Sequence, residues 1–147
     1  MTGRRLWGPV LTACLLGVLN CAGDGTGLDS LGNPLGTDVP DLGPTLSAIQ
    51  ANILTPICTQ CHTGAAAPLG LRFDAGASWA ELVGIPSTQM PEMVRVQPGD
   101  PESSYFVWKI EGRAEIAGGR MPLGIAALTA AENEAIRGWI ANGAQDD

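Results

Sequence analysis

The sequence predicts a small, mainly helical domain with short helices and long connections. Twenty glycines and eleven prolines in 147 residues leave little room for long regular elements, because both residue types interrupt them. Two helical patterns still stand out. Apolar residues recur three and four positions apart after Thr45, and a capping box begins at Thr129. We therefore expect a single domain over residues 45–147, preceded by an N-terminal leader.

The first 21 residues have the layout of a secretory signal. Arg4 and Arg5 precede an apolar run of 14 residues, 6–19, whereas a membrane-spanning helix needs about 20. The run is therefore interpreted as an export signal. It closes on residues 18–23, which resemble the lipobox of bacterial lipoproteins, so Cys21 is the predicted lipidation site. The alternative is that Cys21 is a free thiol behind an ordinary cleavage site.

Residues 22–44 form the predicted tether between this signal and the domain. They are rich in Gly, Asp and Pro, contain no basic residue and have neither a helical nor a strand period. A flexible coil of this length has a root-mean-square reach of about 25 Å. The domain is therefore expected on the periplasmic or cell-surface side of a bacterial membrane, held there by lipid.

The first helical pattern of the domain lies directly before two cysteines. Its apolar residues form a single stripe: Leu46, Ile49, Ile53, Leu54 and Ile57. Pro56 interrupts this pattern. It either kinks the helix or occupies the first position of a fresh turn capped by Thr55, which would place Cys58 on a new helical turn.

Further elements are predicted downstream of the cysteines. A short extended segment is expected at residues 71–73 and a helical turn at residues 78–82. Another helix is predicted from Pro101, with Asp100 as its N-cap. Its inward-facing residues are expected to be Phe106, Val107 and Ile110.

The last helix has clear signals at both ends. Thr129 and Glu132 make a capping box at its start, and Gly143 stands in the position of a left-handed C-cap. Its core stripe is Ile136, Trp139 and Ile140. Core packing is likewise the expected role of Trp79 and Trp108.

The chemistry-bearing motif is Cys58-Thr-Gln-Cys61-His62, the attachment signature of c-type haem. Two thiols three residues apart on one helical turn lie on the same face, so each can add to a vinyl group of the porphyrin. The next residue then brings its imidazole under the iron. His62 is therefore the predicted proximal ligand, with its second ring nitrogen held by a backbone carbonyl.

Two other interpretations of the motif are weaker. Structural zinc usually takes four Cys or His ligands, but the domain holds only Cys58, Cys61 and His62. A thioredoxin-type dithiol or a plain disulfide is the second alternative. The dithiol needs a βαβ setting, which the sequence after His62 does not build.

The sixth iron ligand is predicted to be methionine, since His62 is the only histidine. The candidates in the domain are Met90, Met93 and Met121. Met121 lies in a loop, residues 118–124, with glycines for close backbone approach and a following proline. It is the preferred ligand, and Met90 is the second choice. An open or water-bound iron is the remaining alternative.

Together these motifs resemble a known family. The matching stretches are residues 58–62, 71–74, 96–103, 119–124 and 136–144. They look like the planctomycete-type and related lipoprotein cytochrome c domains, a branch of the class I mono-haem cytochromes c. The resemblance implies an all-α fold of three to four short helices whose long loops wrap around one covalent haem c. It also implies that the first and last helices pack together, that His62 and Met121 are the axial ligands, and that the activity is electron transfer.

The predicted function is therefore that of a membrane-tethered single-electron carrier rather than an enzyme. A peroxidase-like or gas-sensing haem domain with an open sixth position is the alternative, and an electron-entry module of a larger oxidoreductase is a third hypothesis. The formal net charge is −7, so the sequence does not predict the basic patch of a nucleic-acid binder. Redox protein partners are expected instead, and the acidic domain favours a partner with a basic face.

Overall fold

The computed structural model describes residues 42–147. The predicted export signal, the lipidation site Cys21 and residues 22–41 of the predicted tether lie outside the described residues. The described part is mostly helical, and its four α-helices are Leu46–Ile49 (α1), Ser78–Leu82 (α2), Tyr105–Glu111 (α3) and Ala130–Ala141 (α4). Between residues 42 and 147 there is no strand, and only isolated β-bridges join the loops. The all-α class is therefore confirmed. Within the same range no helix has the length and apolar character needed to cross a membrane.

Helix α1 begins directly after its N-cap residue, Thr45, and then widens. The hydroxyl of Thr45 accepts a hydrogen bond from the amide of Ala48 at 3.2 Å. The helix continues as a π-helical segment, Gln50–Leu54, in which the amide of Thr55 donates to the Gln50 carbonyl at 2.9 Å. The predicted apolar stripe is buried at its first four positions and partly buried at Ile57.

The chain then turns into the cysteine motif. Cys58–Gln60 form a short 3₁₀ turn, so Cys58 does lie on a fresh turn. Thr55 does not cap that turn, because its own backbone is helical and Ile57 is the residue that precedes the turn. The predicted Thr55 cap is therefore wrong.

Helix α3 starts later than the sequence predicts. Asp100 accepts a hydrogen bond from the Ser103 amide at 3.1 Å and so caps a turn rather than a helix. Ser104 has an extended backbone and pairs with Val94, which prevents the helix from extending back to Pro101. The prediction of a helix start at Pro101 is therefore wrong. The predicted inward face of α3 is confirmed, since its three apolar residues are buried.

Helix α4 closes the fold. Its capping box is formed as predicted, and its stripe of Ile136, Trp139 and Ile140 is buried. Gly143 has a φ of 98°, in the left-handed region that a helix end requires. The helix packs against both α1 and α3, so the expected contact between the first and last helices is present.

The residue at position 138 in α4 is a glycine because Pro44 packs closely against it. A Cβ atom on Gly138 would lie only 2.9 Å from the Cβ of Pro44. Leu42 also packs partly against the core. Residues 42–44, at the end of the predicted tether, therefore lie against the domain.

The core draws on all four helices. Its fully or nearly buried apolar members are Leu46, Ile49, Ile53, Leu54, Phe73, Leu82, Val96, Phe106, Val107, Ile110, Leu128, Ala135, Ile136, Trp139, Ile140 and Ala144. Trp139 confirms its predicted core role. Trp79 does not, since it is 36% exposed and its indole N–H donates to the Ala144 carbonyl at 2.8 Å. Trp108 is half-buried, and its indole N–H donates to the Glu102 carbonyl at 2.7 Å.

Candidate haem-binding site

One cleft gathers the four predicted haem-binding side chains. It has a volume of about 290 Å³, and Cys58, Cys61, His62 and Met121 all line it. This volume is close to the lower limit of about 300 Å³ for small-molecule pockets. Most other lining residues are apolar, and five of them belong to the core, among them Leu82 in α2 and Phe106 and Ile110 in α3. Leu69, Leu123 and Ile125 also line the cleft and are exposed. The fold therefore brings residues about 60 positions apart in the sequence to one apolar cavity.

The cysteine turn is tied to the residues before it. Within it, the amides of Cys61 and His62 both donate to the Cys58 carbonyl, at 3.2 and 2.9 Å. The two intervening side chains, Thr59 and Gln60, donate back to the carbonyls of residues 55 and 56. The motif is thus a compact turn anchored on the end of the preceding helix.

The imidazole of His62 is held at one ring nitrogen. Its Nδ1 lies 3.0 Å from the carbonyl oxygen of Leu71, the kind of contact that the sequence analysis expects. Because a carbonyl oxygen only accepts, this hydrogen bond assigns the ring proton to Nδ1 and leaves the lone pair on Nε2. Phe73 packs against the same ring in a T-shaped arrangement, with centroids 5.3 Å apart. His62 is therefore oriented with Nδ1 toward the Leu71 carbonyl, and Nε2 is the ring nitrogen that a ligand could reach.

The loop after His62 is fastened by Asp74. Its carboxylate accepts hydrogen bonds from the Thr63 hydroxyl and from the amide of Gly64, the latter at 3.1 Å. These two hydrogen bonds, the Thr63 contribution first, hold the pKa of the Asp74 carboxyl below its ordinary value. Gln50 adds a long-range tie, because its side-chain amide donates to the Phe73 carbonyl at 2.9 Å. Residues 58–74, here the His62 segment, are thereby fixed on the π-helical part of the first helix.

The electrostatics of Cys58 argue against a reactive dithiol. Burial, and secondly the charge of Glu132, raise the pKa of the Cys58 thiol to about 12. Redox dithiols of the thioredoxin type need a lowered pKa and a βαβ setting, and residues 42–147 contain no strand. In this same part of the chain, no three His, Cys, Asp or Glu side chains cluster in a way that could hold a metal ion. The structure therefore supports neither a redox dithiol nor a zinc site at this motif.

Met121 reaches the cleft on a loop, residues 117–124, here the Met121 loop. Its side chain packs partly against the core and lines the cleft. Its amide donates to the Lys109 carbonyl at 2.8 Å, and the Met121–Pro122 peptide bond is cis. Met90 and Met93 do not line the cleft. Of the three candidate methionines, the structure brings only Met121 together with the cysteine motif.

Several cleft residues were not predicted from the sequence. Ser87, Thr88, Gln89 and Arg95 supply polar groups to the lining, and Lys109 and Tyr105 face it from α3. Lys109 carries a signal that could have been found. It is the only lysine and interrupts an otherwise apolar and aromatic stretch, residues 105–110, where a charge is expected only if it has partners.

Comparison of the chain with protein-family models, with curated proteins and with solved structures gives no match. The cleft itself therefore carries the functional argument.

Proposed function

We propose that this protein is a mono-haem c-type cytochrome that carries single electrons. The observation that carries the proposal is the single apolar cleft that Cys58, Cys61, His62 and Met121 line together, with the proton of His62 directed at the Leu71 carbonyl. These four residues are two thiols, an imidazole and a thioether. That donor set suits covalent attachment and His/Met axial ligation of one haem.

The two cysteines would attach the group. Each thiol would add across one vinyl group, with its sulfur bonding to one vinyl carbon and its hydrogen going to the other. The addition needs no oxidant or reductant. Cys58 and Cys61 lie at the two ends of one short turn, and the hydrogen bonds within that turn keep their backbone positions fixed.

His62 and Met121 would hold the iron. The hydrogen bond from Nδ1 to Leu71 leaves Nε2 as the donor atom of His62. The sulfur of Met121 would be the second axial donor, and a thioether favours the ferrous state relative to a second imidazole. When bound, the haem supplies a one-electron ferric–ferrous couple.

The rest of the cleft would set the environment of that couple. Core residues such as Phe106 and Ile110 keep water from one part of the lining. Gln89 and Arg95 also line the cleft, and an amide and a guanidinium are donors that suit the two carboxylates of a haem, although Nη1 of Arg95 already donates to Glu81. Closed axial positions would leave no place for a substrate, which favours electron transfer over peroxidase or gas-sensing activity.

The location is part of the proposal. The export signal, Cys21 and the Gly/Asp/Pro-rich tether together favour a lipid-anchored protein on the outer side of a bacterial membrane. Lipid labelling should mark Cys21, and Cys21→Ser should release the protein into the soluble exported fraction. An unmodified Cys21 in the mature protein would remove the anchor and leave the cytochrome proposal intact.

Acid-acetone extraction tests the cytochrome proposal. After expression with a haem-attachment system, one haem should stay with the protein, because thioether bonds are covalent. Cys58→Ala should weaken this retention, and His62→Ala should additionally remove the low-spin spectrum. Thr59→Ala, a matched change within the motif, should retain both. Complete extraction of haem from the wild-type protein into the organic phase would overturn the proposal.

A further inference from the structure

Lys109 is a buried cation whose partners all belong to the Met121 loop. Its side chain in α3 is only 7% exposed, and its ammonium donates to the carbonyls of Ala117 at 2.8 Å and Gly119 at 2.7 Å. None of the ion pairs in residues 42–147 includes it. A buried charge is costly unless it is hydrogen-bonded, so these two carbonyls are what stabilises the ammonium in the interior.

Two further contacts join the same turn of α3 to the same loop. The hydroxyl of Tyr105 accepts a hydrogen bond from the Ala117 amide at 3.0 Å. The backbone carbonyl of Lys109 accepts one from the Met121 amide at 2.8 Å. Tyr105 and Lys109 are four residues apart and share one face of the helix. The loop is therefore fastened to a single helical turn at residues 117, 119 and 121.

Among the described residues, no further hydrogen bond joins residues 117–124 to the rest of the domain, and the other contacts include the Arg120 side chain beside Gly112 and the partial packing of Met121 on the core. Residues 118 and 119 are glycines without side chains, and Gly118 has a φ of 70° that few other residues adopt. Both Tyr105 and Lys109 line the cleft together with Met121. An apolar residue in place of Lys109 could fill the interior, but it could not bind two loop carbonyls. The ammonium therefore joins the loop to α3 at two defined carbonyl oxygens.

We infer that Lys109 and Tyr105 are positioning residues that keep the Met121 loop closed and thereby keep Met121 on the haem iron. The inference rests on the proposed function. It assigns to these residues control over the axial ligand, and no part in haem attachment, because neither residue makes a hydrogen bond to the His62 segment.

The test compares four variants of the haem-loaded protein. Lys109→Met removes both hydrogen bonds to the loop while keeping a side chain of similar length, and Lys109→Arg keeps a cationic donor. Tyr105→Phe removes the single hydrogen bond to Ala117. Arg137→Met is the matched control, since Arg137 also ties two elements together, through Glu102 and Glu111, and neither of its ion-pair partners belongs to the Met121 loop.

Three readouts follow the loop. The first is the near-infrared sulfur-to-iron charge-transfer band of the oxidised protein, and the second is the rate of carbon monoxide binding to the reduced protein. Lys109→Met should weaken the band and raise the binding rate about tenfold or more, since hydrogen bonds to charged groups are the stronger ones. The third readout, amide hydrogen exchange of residues 117–121, should rise in the same variant. Haem content should not change.

The other variants grade the effect. Tyr105→Phe should raise the carbon monoxide rate about fivefold, which also tests the inference should Lys109→Met fail to fold. Lys109→Arg should stay within about threefold of wild type, because its guanidinium keeps several donors. Arg137→Met should leave band and rate unchanged.

Two results would overturn the inference. One is an unchanged band and rate in both Lys109→Met and Tyr105→Phe. The other is an equal loss of the band in Arg137→Met, which would reduce the contact to general stability. A wild-type protein without covalent haem would instead overturn the proposed function, so the two failures are distinguishable.

Discussion

The two segments that bring the proposed ligands to the cleft are held in different ways. The His62 segment is fastened largely to itself, through Leu71, Phe73 and Asp74, all within twelve residues of His62. The Met121 loop depends on a separate element, one turn of α3 that carries Tyr105 and Lys109. These hydrogen bonds span similar separations in sequence, 9 to 11 residues in the His62 segment and 8 to 12 in the Met121 loop. The difference lies in the anchor, which is a core aromatic and the first helix for His62 and a single turn of α3 for Met121.

This difference predicts which of the two segments changes its conformation more easily. The His62 ring packs on a core aromatic and is tied to the first helix through Gln50, so it should change only when the fold does. We expect the Met121 loop to open at residues 117–121 while the core stays packed, since its hydrogen bonds to the domain all end on one turn of α3. The proposed proximal ligand is therefore expected to be permanent, and the distal one adjustable.

The largest effect should come from removing the aromatic support of His62. Phe73 is almost fully buried between the His62 ring and Phe106. Phe73→Ala should lower the free energy of unfolding by about 3–5 kcal/mol, because it leaves a cavity in the core. Urea unfolding monitored by tryptophan fluorescence measures this loss.

Two variants sharpen the comparison. Phe73→Leu keeps most of the volume without the ring, and should cost less than about 1.5 kcal/mol. On the other segment, Tyr105→Phe removes one hydrogen bond and should cost about 1 kcal/mol. A loss for Tyr105→Phe as large as that for Phe73→Ala would contradict the distinction between the two segments.

A smaller, pH-dependent effect is expected at Asp74. Hydrogen bonds from Thr63 and Gly64 lower the pKa of this carboxyl below its ordinary value of 3.8. The folded state therefore gains stability from the ionised carboxylate above the unfolded pKa. This gain disappears as the pH falls through the lower folded pKa. Asp74→Asn should consequently be less stable than wild type at neutral pH, with a difference that shrinks on acidification.

Urea midpoints measured between neutral pH and about pH 3 test this dependence. Asp146→Asn serves as the control for the loss of one surface carboxylate, since Asp146 is exposed near the C-terminus. If the stability difference between Asp74→Asn and wild type does not vary with pH, the hydrogen bonds of the Asp74 carboxylate do not stabilise the folded His62 segment.

Local patterns predicted the helices that have strong local signals. The capping box at Thr129 and the buried stripe of α4 are confirmed. The helical turn expected at residues 78–82 is present as α2, although it has no side-chain cap. The start of α3 was missed because Ser104 is held extended by its pairing with Val94, a contact that no local pattern contains. The exposure of Trp79 was missed for a similar reason. Its indole is satisfied by the distant Ala144 carbonyl.

The site residues also divide into those that a local pattern predicts and those that depend on contacts in the folded domain. The contiguous motif of Cys58, Cys61 and His62 could be recognised from its spacing alone, and the framing of Met121 by glycines and a proline singled out the methionine that lines the cleft. The hydrogen bonds from Lys109 and Tyr105 to the Met121 loop could not be predicted from the sequence. They need α3 and the loop to meet in three dimensions, although the isolated charge of Lys109 among apolar residues was a hint.

The most direct test of the central claim, one haem held between His62 and Met121, is the near-infrared spectrum of the oxidised protein. Wild type should show the weak sulfur-to-iron charge-transfer band. Met121→Ala should abolish it, lower the reduction potential and open the iron to carbon monoxide, while the covalent haem is retained. Met90→Ala should leave all three observables unchanged, because Met90 does not line the cleft. Loss of the band in Met90→Ala, together with its persistence in Met121→Ala, would contradict the assignment of the distal ligand.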